Sequence, residues 1–150
     1  MKTFKYTSSL WLPHPLEEVF SFFSDPKNLE EITPGWLHFH IMDPVPQSIE
    51  VGSRINYKLR FRGFPLRWTS VITVWEPPNK FIDSQIKGPY RKWVHEHTFH
   101  KFDGGTLAKD HVEYATWGDS LVNTLFVGPD VQRIFKYRAA KLRALFDPSL

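Results

Sequence analysis

The stretch YRKWVHEHTFHKFDGGTLAKDHVEY, residues 90–114, decides how the chain folds. Two strand-length runs flank Asp103-Gly104-Gly105, and so short a turn needs the positive φ angles that Asp and Gly tolerate. Side chains alternate along a strand, so Trp93, His95, His97 and Phe99 share one face. With Asp103-Gly104 or Gly104-Gly105 at the turn centre, Ala108, Asp110, Val112 and Tyr114 join that face. It is apolar and aromatic, with two imidazoles and a carboxylate set into it. A plain core needs no such groups, so the hairpin is also where function is expected.

Downstream lies the clearest helix. Gly128-Pro129 opens it and Pro148 follows its end. Val131, Ile134, Phe135, Arg138, Leu142 and Leu145 fall on one stripe, and Pro129–Phe146 spans roughly 27 Å, enough to cross a sheet. Between hairpin and helix, Ser120–Val127 is apolar and reads as a short helix or lid. Upstream, residues 53–62 and 66–75 form a second hairpin across Arg62-Gly63-Phe64-Pro65. Ile55, Tyr57, Leu59 and Phe61 share a face, joined by Leu66, Trp68, Ser70, Ile72 and Val74 if Gly63-Phe64 is the turn centre. Phe81–Ile86 is a short strand with two facings open. One points Phe81, Asp83 and Gln85 inward, the other Ile82, Ser84 and Ile86.

The N-terminal third supplies a strand over residues 3–11 and then two short helices. Leu16, Val19, Phe20 and Phe23 sit at helical spacing. Asp25-Pro26 opens the second helix as N-cap and first helical residue, Leu29 and Ile32 face inward, and Thr33-Pro34-Gly35 ends it. From Trp36, Leu37, Phe39 and Ile41 alternate as a strand with His38 and His40 on its solvent face. The order is strand, two helices, six strands, one long helix. Short connections make neighbours antiparallel, giving an α+β fold with seven curved strands wrapped around the last helix.

Composition bounds the function. A chain of 150 residues, 41% hydrophobic and 23% charged, suits one soluble domain. No apolar run approaches the roughly 18 residues of a membrane span. Met1–Tyr6 lacks the apolar stretch of a signal peptide, so a cytoplasmic location is expected. Without cysteine there is no disulfide, no thiol nucleophile and no cysteine-ligated metal. The net charge is only +3, and Arg54, Lys58, Arg60, Arg62 and Arg67 read as the solvated face of one hairpin. No nucleic-acid partner is expected.

The residues also carry a resemblance. Pro15, Val19, Phe20, Phe22, Phe23, Asp25, Pro26 and Asn28 make P-x-x-x-V-F-x-F-F-x-D-P-x-N. Thr33-Pro34, Gly52, Gly88-Pro89, the W-x-H-x-H-x-F run from Trp93 and Gly105-Thr106 with Asp110 and Tyr114 add to it, as does Phe135-x-Tyr137-Arg138. Together they resemble the START-like helix-grip (SRPBCC) superfamily, in a bacterial branch of polyketide-cyclase-like and ligand-binding proteins. The resemblance covers residues 1–150 as a single domain and implies a deep, mostly apolar cavity between sheet and last helix. Members bind lipids, sterols, polyketides or hormones, and some are cyclases, dehydratases or hydrolases.

Three readings compete for His95, His97 and Asp110. Imidazoles at i and i+2 with a carboxylate on the next strand can fill three tetrahedral metal positions. A carboxylate-oriented histidine near neutral pKa can act as a general acid or base. Buried polar groups can also form a hydrogen-bonded network that orients a ligand. The resemblance disfavours a metal, and no cofactor is expected. Arg138, set in the apolar stripe, either pairs with Asp110, Asp83 or Glu113, or anchors an anionic ligand group. Tyr57, Trp68, Ser70, Trp93, Tyr114 and Phe135 complete the expected binding wall. The expected function is binding of a small hydrophobic, aromatic or ring-containing molecule. The alternatives are a cyclase or dehydratase working by acid–base chemistry on a polyketide-like substrate, and a protein-interaction module with a solid core. Enzyme status and a homodimer stay open.

Overall fold

The computed structural model describes residues 1–118 and 120–147. Strand β1 (Phe4–Leu12) leads to helices α1 (Leu16–Phe23) and α2 (Asn28–Ile32). Strands β2 (His40–Ile41), β3 (Arg54–Phe61), β4 (Phe64–Glu76), β5 (Lys80–Lys87), β6 (Lys92–Phe102) and β7 (Gly105–Ala115) follow. A helical turn, α3 (Ser120–Val122), precedes the long helix α4 (Gly128–Phe146). The strands pair antiparallel in one seven-stranded sheet of order β1-β7-β6-β5-β4-β3-β2. This is the expected α+β architecture, a curved sheet gripping a terminal helix.

Both tight hairpins turn on two residues of positive φ, Arg62-Gly63 (51° and 83°) and Asp103-Gly104 (47° and 77°). Such turns match the right-handed twist of the strands they join. The first is centred one residue earlier than Gly63-Phe64, pairing Phe61 with Phe64. That move leaves the facing unchanged but shifts each partner by two residues, so Tyr57 sits across from Trp68 and Ile55 from Ser70. Farther along β4 the expectation fails. Register passes from Ile72↔Asp83 to Val74↔Ile82, leaving Thr73 unpaired in a β-bulge. After the bulge it is Trp75, not Val74, that packs inward on Phe20 and Phe81. The same pairing resolves β5, placing buried Phe81 and, two residues on, Asp83 on the inner face.

Two N-terminal expectations also change. Helix α2 starts at Asn28 rather than Pro26. The Asp25 carboxylate accepts the Lys27 N–H at 3.0 Å, closing a turn before the helix begins. Residues Gly35–Leu37 form a single 3₁₀ turn, and His38 takes a left-handed conformation (φ 48°). Only His40–Ile41 is therefore free to pair with β3; His38 and His40 are exposed, as expected.

Helix α4 has a longer run-up than the sequence suggested. Asn123–Val127 form a π-turn continuous with α3 and α4, in which Gly128 donates to the Asn123 carbonyl. Pro129 explains it: a proline has no N–H for the bond to residue 125, and its ring crowds that carbonyl. At the other end Leu145 is 39% exposed, while Phe146 is 8% exposed and packs edge-on against Phe22 and His14. Steps of seven and four residues from Phe135 lead to Leu142 and Phe146, so Leu145 falls off the buried stripe. Pro148 lies outside the described residues. Phe20 and Phe23 of α1 pack on Phe99 of β6 at 5.4 and 5.2 Å between ring centres, closing one end of the grip. Burying a side chain of that size stabilises by about 1.5–3 kcal/mol. No helix among the described residues is long and apolar enough to cross a membrane.

Candidate functional site

Between the sheet and α4 lies a cavity of about 180 Å³. Its walls are largely aromatic and aliphatic, and its polar lining includes Ser70, Asp83, His95, His97 and Arg138. Strand alternation builds the floor. His95 and His97 are two residues apart on β6, and register places Asp83 of β5 across from His95 and Asp110 of β7 across from His97. The hydrogen bonds run diagonally instead. His95 Nε2–H donates to Asp110 Oδ1 at 2.6 Å, and His97 Nε2–H donates to Asp83 Oδ2 at 2.7 Å. The two imidazoles thus reach in opposite directions while their rings stack at 3.7 Å. His97 also stacks on Phe81 at 4.0 Å, and His95 meets Phe135 of α4 edge-on at 5.6 Å. Ser8 of β1 donates to the second oxygen of Asp110 at 3.2 Å.

Both histidines are buried, at 5% and 4% exposure. One fully buried nitrogen lacks a partner: His97 Nδ1 has no hydrogen bond and lies 3.7 Å from Asp110 Oδ1. Burial alone would raise the pKa of Asp110, but the His95 hydrogen bond and the nearby Arg138 charge outweigh it and hold the carboxyl below its usual range. Burial likewise pushes Asp83 up, and the His97 hydrogen bond brings it below its ordinary value. Burial, then the neighbouring His95, lower His97 to about 4. A neutral His97 donating to an ionised Asp83 satisfies all three statements.

On the opposite wall, Tyr57 Oη and Ser70 Oγ are hydrogen bonded at 2.9 Å, and Trp68 Nε1–H donates to Ser70 Oγ at 3.0 Å. Burial raises the Tyr57 pKa, so the phenol stays protonated. Arg138 reaches into the cavity from α4, its guanidinium over the rings of Phe23 (5.6 Å) and Phe135 (5.8 Å). Its Nε is buried without a hydrogen-bond partner. The ion pair expected with Asp110, Asp83 or Glu113 does not form; those carboxylates are taken by His95, His97 and Lys92.

Of the residues expected in the wall, Tyr57, Trp68, Ser70 and Trp93 line the cavity. So do His95, His97, Phe135 and Arg138. Asp110 stands behind His95 as its acceptor and is not part of the wall. Tyr114 packs with Val112, Val131 and Phe135 and donates its hydroxyl to Asn123 Oδ1 at 2.9 Å. The carboxylate that does face the cavity is Asp83, which sequence reasoning left undecided between two facings. The pairing of β5 with β6 was the missing signal, since Phe81 opposite His97 fixes Asp83 inward.

A family model described as polyketide cyclase / dehydrase and lipid transport matches residues 12–143. Among solved structures, protein Ms6760 from Mycobacterium smegmatis is similar with a TM-score of 0.71 and 18% identity, over 97% of this chain and 92% of that one. Ginseng major latex-like protein 151 from Panax ginseng is similar with a TM-score of 0.70 and 12% identity, over 97% and 99%. The di-domain ARO/CYC StfQ from the steffimycin biosynthetic pathway matches with a TM-score of 0.61 and 11% identity, over 92% of this chain and 50% of its own. At these identities the likeness is one of fold. No curated protein matches the chain.

Proposed function

The chain belongs to the polyketide cyclase / dehydrase and lipid transport family, and from that premise we propose that its cavity binds a small hydrophobic, ring-containing molecule bearing an acidic group. The observation that carries this reading is Arg138, a guanidinium with a buried, unpartnered Nε at the wall of an aromatic cavity. An unpaired cation in such a place is costly, and a carboxylate or phenolate on a ligand offsets that cost. Size agrees: an apolar cavity of about 150 Å³ admits benzene, so one of about 180 Å³ suits a one- or two-ring compound. Trp68, Trp93 and Phe135 supply flat faces for a ring, and the Tyr57–Ser70 pair supplies a neutral polar tip.

Native mass spectrometry of freshly purified protein tests this directly. A co-purifying small aromatic acid is expected, and it is retained at least about 10-fold less tightly by Arg138→Met. Equal retention by that variant removes Arg138 as the anchor. A protein that emerges empty and takes up no aromatic acid overturns the reading.

Acid–base catalysis is the second reading, favoured by the two imidazole–carboxylate pairs at the cavity. A bell-shaped pH–rate profile lost in His97→Phe would support it. With a pKa of about 4, however, His97 is a weak base at pH 7, which argues for holding a ligand over moving its protons. An interaction module with a solid core fits a chain that encloses this cavity less well.

A further inference from the structure

We infer that Asp83, His95 and His97 form a site for one divalent transition-metal ion, zinc or a related first-row ion, with its open coordination positions facing the cavity. The donor set is two imidazoles and a carboxylate on adjacent, paired strands, and their ligand atoms lie within 4.8 Å of one another. A tetrahedral site with bonds of about 2.0–2.1 Å places its ligands about 3.3 Å apart. Closing that difference requires the side chains to rotate, and the His95 and His97 rings to leave their 3.7 Å stack so that both lone pairs converge on the ion. The 2.7 Å contact between His97 Nε2 and Asp83 opens slightly, and the wider separations close. Imidazole and carboxylate oxygen together suit zinc, cobalt, iron or manganese and give no preference for calcium.

The unpartnered nitrogen is the second, independent observation. Without a metal, His97 Nε2 carries the proton donated to Asp83, so Nδ1 is a bare lone pair directed toward an Asp110 oxygen 3.7 Å away. Acceptor faces acceptor in a buried place, which is unfavourable. An ion between Nε2 and Asp83 reverses this. The proton then resides on Nδ1 and faces Asp110. His95 already donates Nε2–H to the same oxygen, which leaves its Nδ1 as the nitrogen with a free lone pair. One carboxylate behind two metal-binding imidazoles is the usual outer support of such sites, fixing ring orientation and raising ligand basicity. Both imidazoles bind a metal in their neutral form, so uptake of the ion displaces the proton from His97 Nε2. The sequence pointed to Asp110 as the third ligand and the family resemblance pointed away from any metal. The structure instead assigns Asp110 the supporting place and Asp83 the ligand's.

The remaining positions on the ion open to the cavity that Arg138 also lines. The acidic oxygen of the molecule proposed above would then bridge toward both cations; that clause alone rests on the binding reading.

The test uses the full chain, stripped with a chelator and titrated with Co²⁺. One equivalent is expected to bind, with visible d–d absorption that Zn²⁺ abolishes by competition. Asp83→Asn and His97→Gln are each expected to weaken Co²⁺ binding by more than about 100-fold, and Asp110→Asn by about 10–100-fold with the absorption bands retained. Far-UV circular dichroism checks that each variant is folded; if His97→Gln is not, Asp83→Asn decides. Absence of Co²⁺ uptake by the parent protein overturns the inference. So does uptake unchanged in Asp83→Asn, which would assign the ion to surface histidines such as His38 and His40. Arg138→Met keeps its Co²⁺ affinity whether or not the ligand reading holds, so the two proposals fail separately.

Discussion

The hairpins β3–β4 and β6–β7 are built alike and solve different problems. Each turns on two residues of positive φ, and each presents aromatic side chains to the cavity. The first buries a neutral polar set, Tyr57, Ser70 and Trp68, whose hydrogen bonds all close within the hairpin. The second buries ionisable groups, which need partners from outside it: Asp83 from β5 and Ser8 from β1. Even so, one fully buried imidazole nitrogen, His97 Nδ1, lacks a partner. A neutral network is inexpensive to bury once its bonds are made, whereas charges demand more than one neighbouring strand can supply. That residual demand marks the wall at which we propose binding.

The sharpest way to break this contrast is Asp110→Ala. It strips His95 of its acceptor and leaves Ser8 unpaired, and it is expected to lower stability by about 3–5 kcal/mol in urea denaturation with an unchanged m-value. A loss under about 1 kcal/mol would mean that the charged network is not structural.

The pH dependence comes next. His97 has a folded pKa of about 4 against an ordinary 6.5, so the unfolded chain binds its proton first. Its contribution is complete above pH 6.5 and is lost as pH falls, reaching about 3 kcal/mol by pH 4. Asp83 and Asp110, both lowered in the folded state, act in the same direction below their ordinary value of 3.8. Urea titrations of chelated protein across this range should show the decline, and His97→Gln should flatten its upper part. A flat parent curve between pH 6.5 and 4 would remove His97 from the buried set.

The smallest effect belongs to the neutral hairpin. Ser70→Ala leaves the Trp68 N–H and Tyr57 hydroxyl without their shared partner, at about 1–3 kcal/mol. Because burial keeps the Tyr57 phenol protonated, that loss should be the same at pH 5 and pH 8. A cost that varies with pH would show the two hairpins to be electrostatically coupled.

What the sequence disclosed follows the same division. Period-two alternation and turns with Asp-Gly or Gly at their centre are local, so the strand order, the hairpin faces as far as Ile72 of β4, and seven cavity-lining residues on them and α4 could be read, along with Arg138. Asp83 could not. Its facing depends on how β5 registers against β4 and β6, and each side of β5 is joined by a turn of ambiguous length. The bulge at Thr73 was hidden too, since Val74 and Trp75 are both apolar and either could have pointed in. The free state of Arg138 was beyond reach for a different reason. Its candidate partners are on the page of the sequence, but which of them a histidine or lysine takes first is decided only in three dimensions.

The unpaired Thr73 has one further consequence. It resets the reading frame of β4, so that residues before it and after it follow opposite parities. Trp75 comes to line the cavity through that slip of the backbone. Which side chain the far part of β4 offers to a bound molecule is therefore set by where the strand loses register, so moving the slip by one residue would exchange the indole of Trp75 for the smaller Val74 without any substitution in the wall.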